Sequence, residues 1–250
     1  MTPHLAAIWR HPVKSLGAEA LPSAVLEPDR PLVHDRVWAI AHGASSWDAD
    51  LQDWAAPNNF LRVTHVPELA RVRAAYDATA GRVTLTHPDR PAITLIPGEE
   101  PAALTGWVAP LAAGRRPGPY RLAEARGKAL TDVPEPWVSV LSLASLRALG
   151  QGLGTLLDPI RFRGNLWLDG LAPWEERDWV GREIAIGGAI LRIEEPIGRC
   201  RATEANPATG RYDLPTVAAL DEATGTTEFG LYARVIRGAG VAPGAPAGLA

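Results

Sequence analysis

Only one cysteine, Cys200, occurs in 250 residues. The chain can therefore form no internal disulfide, no cysteine-rich zinc site and no iron–sulfur cluster of its own. Lysine is nearly as scarce: Lys14 and Lys128 stand against 23 arginines. No segment approaches the ~18 consecutive apolar residues that a membrane helix needs, so no membrane partner is expected. The start, MTPHLAAIWRHPVKS, lacks the basic head and apolar block of a secretory signal. A cytoplasmic protein is the expectation. A net charge of −3 argues against nucleic acid as a partner, because such domains usually carry a broad basic face. Also missing are a P-loop, a dinucleotide-binding glycine fingerprint, a GxSxG elbow and internal repeats.

What is present reads as many short strands and few helices. The apolar fraction of 46% is enough for a buried core in one large domain or two small ones. Strands are predicted at 5–9, 20–26, 33–40, 69–76, 82–86 and 93–96, and a helix at 102–113. Between residues 43 and 59, Asp48, Asp50 and Asp53 with Trp47 and Trp54 suggest an irregular surface segment. The run Gly114-Arg115-Arg116-Pro117-Gly118-Pro119 reads as a boundary. Beyond it, strands are expected at 120–123, 138–141, 166–168 and 229–236. A helix should run from Leu143 to Leu149, capped by Ser142 and ended by Gly150. In REIAIGGAILRI, Gly187-Gly188 suits a two-residue hairpin turn. That register sets Ile184 against Leu191, Ile186 against Ala189 and Glu183 against Arg192. The GAGVAPGAPAGLA tail is expected to be loosely held at its end.

The chemistry concentrates between Arg161 and Gly210. Cys200 lies between Arg199 and Arg201, and neighbouring positive charge should favour its thiolate, a soft ligand and good nucleophile. The alternative is a buried cysteine acting as a small hydrophobe. If extended, Arg161 and Arg163 share one face with Asn165, and a pair of guanidinium forks suits phosphate or carboxylate. A solvated strand edge is the competing reading. Lys14 and Ser15, after Pro12, make a candidate anion-binding turn. His11, His34, His65 and His87 show no metal-ligand spacing on a helix and read as structural or exposed. The nine tryptophans read as core and pocket lining.

Several separated stretches resemble one family. His11-Pro12-Val13-Lys14-Ser15 resembles the YPVKS motif of MOSC proteins, the molybdenum cofactor sulfurase C-terminal domain family. Asp35-Arg36-Val37-Trp38 resembles their DRxW element, and Ser142 to Leu146 their SxASL helix start. Arg161 to Asn165 is similar to RFRPN. Arg199-Cys200 followed by Asn206-Pro207-Ala208-Thr209-Gly210 is similar to RC…DPDTG. Phe229 to Ala233 resembles the closing strand. Six matches in the family's order span residues 5 to about 235. With its N-terminal extension, the chain most resembles the branch of the mitochondrial amidoxime-reducing component and its bacterial relatives.

That resemblance implies a mainly β fold with some α: a MOSC-type β-barrel domain over 119–250 and a smaller mixed α/β MOSC N-terminal domain over 1–118. It implies that Cys200 ligates molybdenum in a molybdenum cofactor (molybdopterin) and is catalytic. Lys14, Ser15, Arg36, Arg161, Arg163 and Asn165, joined by Ser142, Ser145 and Arg199, would bind that cofactor. The implied reaction is reduction of N-hydroxylated small molecules, with electrons from a separate protein of ferredoxin or flavin-reductase type. A non-catalytic carrier of the cofactor or its sulfur is the alternative. A cysteine hydrolase would require a histidine within hydrogen-bond reach of Cys200. The chain departs from the family at Gly164 (for proline), at Pro196-Ile197-Gly198 before the cysteine, at Asn206 and Ala208, and at Arg62 and Thr64. These last two stand where the family often carries TxRxxP, which bears on the substrate side.

Overall fold

Period-two runs of apolar residues make the strands here, since alternate side chains of an extended segment point to opposite faces. The computed structural model describes residues 2–48, 53–125 and 128–250, so Asp50 lies outside the described residues. The first half holds β1 (His4–Arg10), β2 (Glu19–Leu21), β3 (Ala24–Leu26), β4 (Trp38–Ala41), β5 (Arg73–Asp77), β6 (Arg82–His87), β7 (Arg90–Leu95) and α1 (Pro101–Ala112). The second half holds β8 (Arg121–Glu124), β9 (Val138–Ser142), α2 (Leu143–Gly152), β10 (Leu166–Asp169), β11 (Glu183–Ile186), β12 (Ala189–Gly198), α3 (Thr216–Thr224), β13 (Glu228–Arg237), β14 (Ala239–Val241) and β15 (Ala247–Leu249). The protein is mainly β with some α, as expected.

Eight strands form the main sheet in the order β15-β11-β12-β13-β9-β10-β1-β2. One face buries Leu5, Val140, Leu168, Ile184, Leu191, Ile193, Leu231 and Val235 in a single core. The other face presents Leu141, Trp167 and Phe229 to Leu146 and Leu149 of α2 and Leu220 of α3. Burial is worth roughly 1.5–3 kcal/mol per large apolar side chain, against about 0.5–1.5 net for a hydrogen bond, so facing dictates register. The β11–β12 hairpin shows the predicted pairs Glu183–Arg192, Ile184–Leu191 and Ile186–Ala189. A separate core packs β5, β6 and β7 with α1 around Leu69, Val83, Leu85, Leu104 and Val108.

By strand order the main sheet is open rather than a closed barrel. The segment leading into β15 nevertheless reaches the start of β1. Leu5 N donates to Ala245 O (2.8 Å), Gly244 N to Leu5 O (2.7 Å) and Ala247 N to Pro3 O (3.0 Å). The tail is therefore not loose. β15 pairs with β11, placing Ile184 opposite Leu249, and so covers an edge that would otherwise expose unpaired backbone groups.

Other departures from expectation have local causes. The 33–40 segment becomes strand only at Trp38, because His34 and Arg36 are left-handed (φ 62° and 49°). The 20–26 segment splits into β2 and β3 at Pro22, which has no N–H for a ladder. Residues 69–76 begin as a 3-10 turn over Pro67–Arg71, with Pro67 at its first position. The helix after Ser142 passes Gly150 and ends at Gly152.

Packing also accounts for Gly164. A Cβ there would lie 2.2 Å from Leu141 Cδ1, and one at Gly230 (φ 78°) would lie 2.6 Å from Leu141 Cγ. The buried Leu141 thus fills the space that a larger residue at 164 would take. Gly164→Ala should lower stability by about 1–3 kcal/mol through overpacking. The readout is a lower urea midpoint at unchanged m-value, and an unmoved midpoint would show that Leu141 yields freely.

Candidate functional site

The family-like motifs interlock through their backbones. His11 N donates to Asp35 Oδ1 (2.7 Å), and Arg36 N donates to His11 O (2.7 Å). Lys14 N donates to Trp38 O (2.7 Å), so the segment 11–14 lies against 36–38. Lys14 and Ser15 form the turn that follows, with Ser15 left-handed (φ 64°) and Leu16 N donating to Val13 O (3.1 Å). From there the network crosses to the C-terminal half. Arg36 Nη2 donates to Arg163 O (2.6 Å), and Trp9 N donates to Asn165 O (2.7 Å). Arg199 closes the circuit, Nη1 donating to Phe162 O (2.9 Å) and Nε to Phe229 O (2.7 Å).

The circuit surrounds a cleft of about 110 Å³ into which Cys200 opens. Cys200 is exposed, so the small-hydrophobe reading fails. Its Sγ lies 3.3 Å from Thr64 Oγ1, within hydrogen-bond reach. Tyr212 Oη donates to Thr64 O (2.7 Å) and thereby pins the turn that carries this threonine. Trp137 and Tyr232, with ring centroids 5.6 Å apart, supply an aromatic wall. No histidine lines the cleft among the described residues, which removes the base that a cysteine hydrolase would need.

Six cationic side chains line the cleft: Lys14, Arg36, Arg62, Arg161, Arg163 and Arg199. Three have carboxylate partners. Lys14 Nζ lies 2.6 Å from Asp132 Oδ1, Arg36 pairs with Asp35, and Arg161 makes a two-pronged bridge to Asp213 at 2.9 Å per prong. Lys14 is buried and Asp132 is 65% exposed, which puts their pair at the rim. Lys14 holds Asp132 down to about 2. Burial, and then the charge of Arg36, push Arg163 down to about 9; burial also pushes Arg199 down to about 10. Both stay charged at neutral pH, but neither is well solvated. Arg163 Nη2, Arg199 Nη2 and Arg62 Nε are all shielded from solvent and have no hydrogen-bond partner among the described residues. Orphaned, shielded N–H groups in a cation-rich cleft are what an anionic guest would satisfy.

Not every sequence-predicted residue serves the cleft in the expected way. Arg161 and Arg163 do not share a strand face: Pro159–Phe162 is a 3-10 turn and Arg163 is left-handed (φ 50°). Both line the cleft, but Asp213 occupies the Arg161 fork. Asn165 also lines it, yet its amide is spent on the frame. Its Oδ1 accepts from Ser139 Oγ (2.9 Å), and its Nδ2 donates to Trp9 O (3.2 Å). Ser142 and Ser145 are not brought to the cleft. Ser142 Oγ caps α2 by accepting from Ser145 N (3.3 Å), and Ser145 Oγ donates to Glu176 Oε2 (2.8 Å). Nor do both arginines flanking Cys200 face its sulfur. Arg201 turns away, 3.8 Å over the Tyr212 ring and paired with Glu204.

Residues outside the predicted set also line the cleft, among them Arg62, Thr64, Asp132, Trp137, Ser139 and Tyr232. Arg62 and Thr64 were visible only as a departure from a motif. Trp137 was covered only by the general reading of the tryptophans as core and pocket lining, Tyr232 only as part of the closing strand, and Asp132 and Ser139 left no signal. Asn206, standing for the family's aspartate, still closes its turn by accepting from Ala208 N (2.7 Å). Its Nδ2 additionally donates to Asp213 Oδ2 (2.5 Å), a bond that an aspartate could not make.

Two family models match the chain: "MOSC domain" over residues 128–247 and "MOSC N-terminal beta barrel domain" over residues 2–104. A stretch of 81 residues is 35% identical to the molybdenum cofactor sulfurase of Anopheles gambiae, covering 32% of this chain and 10% of that protein's length. Among solved structures, the YUAD protein from Bacillus subtilis is 13% identical with a TM-score of 0.48, over 99% of this chain and 94% of that one. YiiM from Geobacillus stearothermophilus is 24% identical with a TM-score of 0.36, over 45% and 53%.

Beneath the cleft, His11 is buried with Nδ1 3.3 Å from Gly17 O and Nε2 3.4 Å from Gly164 O. A neutral ring has one N–H and can donate to only one of them. Burial, then Arg163 and Arg36, hold the pKa of His11 well below its ordinary value of 6.5. The unfolded chain then binds a proton that the folded chain refuses, so stability falls as pH drops below about 6.5. The contribution of His11 should approach ~1.4 kcal/mol per pH unit between there and its folded pKa. Urea midpoints between pH 7.5 and 5 should show the loss, and His11→Gln should flatten the profile. An equal slope in the variant would place the effect elsewhere.

Proposed function

Because the chain belongs to the MOSC family, carrying both the MOSC domain and its N-terminal beta barrel domain, we propose that it is a molybdenum-cofactor enzyme that reduces N-hydroxylated small molecules. Its electrons would come from a separate redox protein of ferredoxin or flavin-reductase type. The observation that supports this most is the exposed Cys200 sulfur opening into a cleft with three guanidinium groups that make no ion pair among the described residues.

The donor set fits the group. Cys200 offers the soft thiolate that molybdenum takes, and Lys14, Ser15, Arg36, Arg163 and Arg199 offer cations and polar groups for the pterin edge and its phosphate. Arg161 and Asn165 act one step back, fixing the walls through Asp213 and Ser139. When bound, the cofactor supplies a two-electron reducing couple. The overall conversion breaks the N–O bond, takes up two electrons and two protons, and releases water. Thr64 orients the Cys200 sulfur, while Trp137 and Tyr232 give the substrate body an apolar surface and exclude water from it. Lys14 Nζ is fixed beside the cleft by Asp132 and Leu130 O.

The local match to a molybdenum cofactor sulfurase supports a second reading, in which the protein carries the cofactor or its sulfur without turnover. Protein from a molybdenum-replete host should contain molybdenum and oxidised-pterin fluorescence. With reduced methyl viologen it should consume benzamidoxime. Cys200→Ala should lose turnover by more than the 10–100-fold typical of an outer-shell partner, together with most of the metal. Cofactor without consumption would favour the carrier. Full molybdenum retention by Cys200→Ala would overturn both readings.

A further inference from the structure

Of the six cations lining the cleft, Lys14, Arg36 and Arg161 have carboxylate partners, and Arg62, Arg163 and Arg199 have none within 4 Å among the described residues. Arg36 bears on both Arg163 and Arg199, and all three belong to the set proposed for the cofactor. Arg62 lines the same cleft but lies outside that set, although its charge, like that of Arg36, reaches Asp132. Among the described residues it makes no ion pair within 4 Å. Among the described residues its side chain is held by His65, Nη2 lying 3.2 Å from Nε2. That contact needs a neutral imidazole as acceptor. Burial, then Arg116, Arg62 and His42, keep His65 in that state by lowering its pKa.

The location of Arg62 gives this charge a use. Arg62 begins the turn whose Thr64 hydroxyl touches Cys200 Sγ, and Tyr212 ties that turn to the cysteine loop. A guanidinium has five N–H donors, and His65 takes one. Nε is shielded and unpartnered, and the remaining fork matches a carboxylate with two parallel bonds. Arg116, whose charge also reaches His65, adds to the positive potential around Arg62.

We propose that Arg62 is a specificity anchor for a carboxylate on the substrate, so that this cleft selects N-hydroxylated small molecules bearing an acidic group. The reaction class in that statement rests on the reductase reading; the anchor itself does not. The test is calorimetric titration of benzamidoxime and 4-carboxybenzamidoxime into protein from a molybdenum-replete host, with no electron donor present. Wild-type protein should bind the carboxylate probe about tenfold more tightly, a difference of about 1.4 kcal/mol. The preference should shrink as salt is raised. Arg62→Met should erase it and Arg62→Lys should restore part. Equal or undetectable binding of the two probes by wild type, or a preference that survives Arg62→Met, overturns the anchor. A preference that follows Arg62 in protein that cannot reduce either probe supports the anchor and counts against the reductase reading alone.

Discussion

Positive charge that the fold assembles and does not neutralise is the constraint on which the cleft depends. A guanidinium withdrawn from water is costly unless it is paired or hydrogen-bonded. Arg199 is held by two main-chain carbonyls, of Phe162 and Phe229, whose dipoles offset part of that cost without cancelling the charge. The Arg163 carbonyl accepts from Arg36 while its own side chain keeps an unpartnered nitrogen. The result is a preorganised cationic cradle whose geometry is fixed by the backbone, so little rearrangement is needed when an anion enters.

Topology puts those side chains together. β10 lies between β9 and β1 in the main sheet, so the turn after β1 and the loop before β10 end beside one another. The parallel pairing of β9 with β10 also sets Asn165 next to Ser139, and their mutual hydrogen bonds clamp the floor. No helix among the described residues is long and apolar enough to cross a membrane.

Much of this was legible in the chain, for reasons that differ by residue. The Gly187-Gly188 hairpin was readable because hydrophobic and charge pairing agreed on one register. Lys14 and Ser15 were readable as a turn because Pro12 forbids a helix there. The cysteine was readable by its solitude, and the order of the motifs pointed to their neighbours in space. Local reading failed where a distant partner decides the conformation or the role. Arg161 looks free until Asp213 folds over it. Asn165 looks like a ligand group until Ser139 and Trp9 use its amide. The tail looks disordered until β11 offers it an edge. Thr64 carries no mark at all of its contact with Cys200, which lies 136 positions away.

The pairing of β1 with β10 has a temporal consequence. Leu5 meets Leu168 and Ile8 meets Leu166 across a very long interval of chain, and β13, which pairs with β9 on the far side of β10, arrives later still. Contacts so distant in sequence make for slow closure. During synthesis β1 can pair early with β2, and the turn after it with residues 35–38, but the β10 side of β1 must wait until residues 166–169 have left the ribosome. The cradle is therefore complete only after Arg199 and the Phe229 carbonyl that holds it have emerged, and any anionic guest has to be loaded after that.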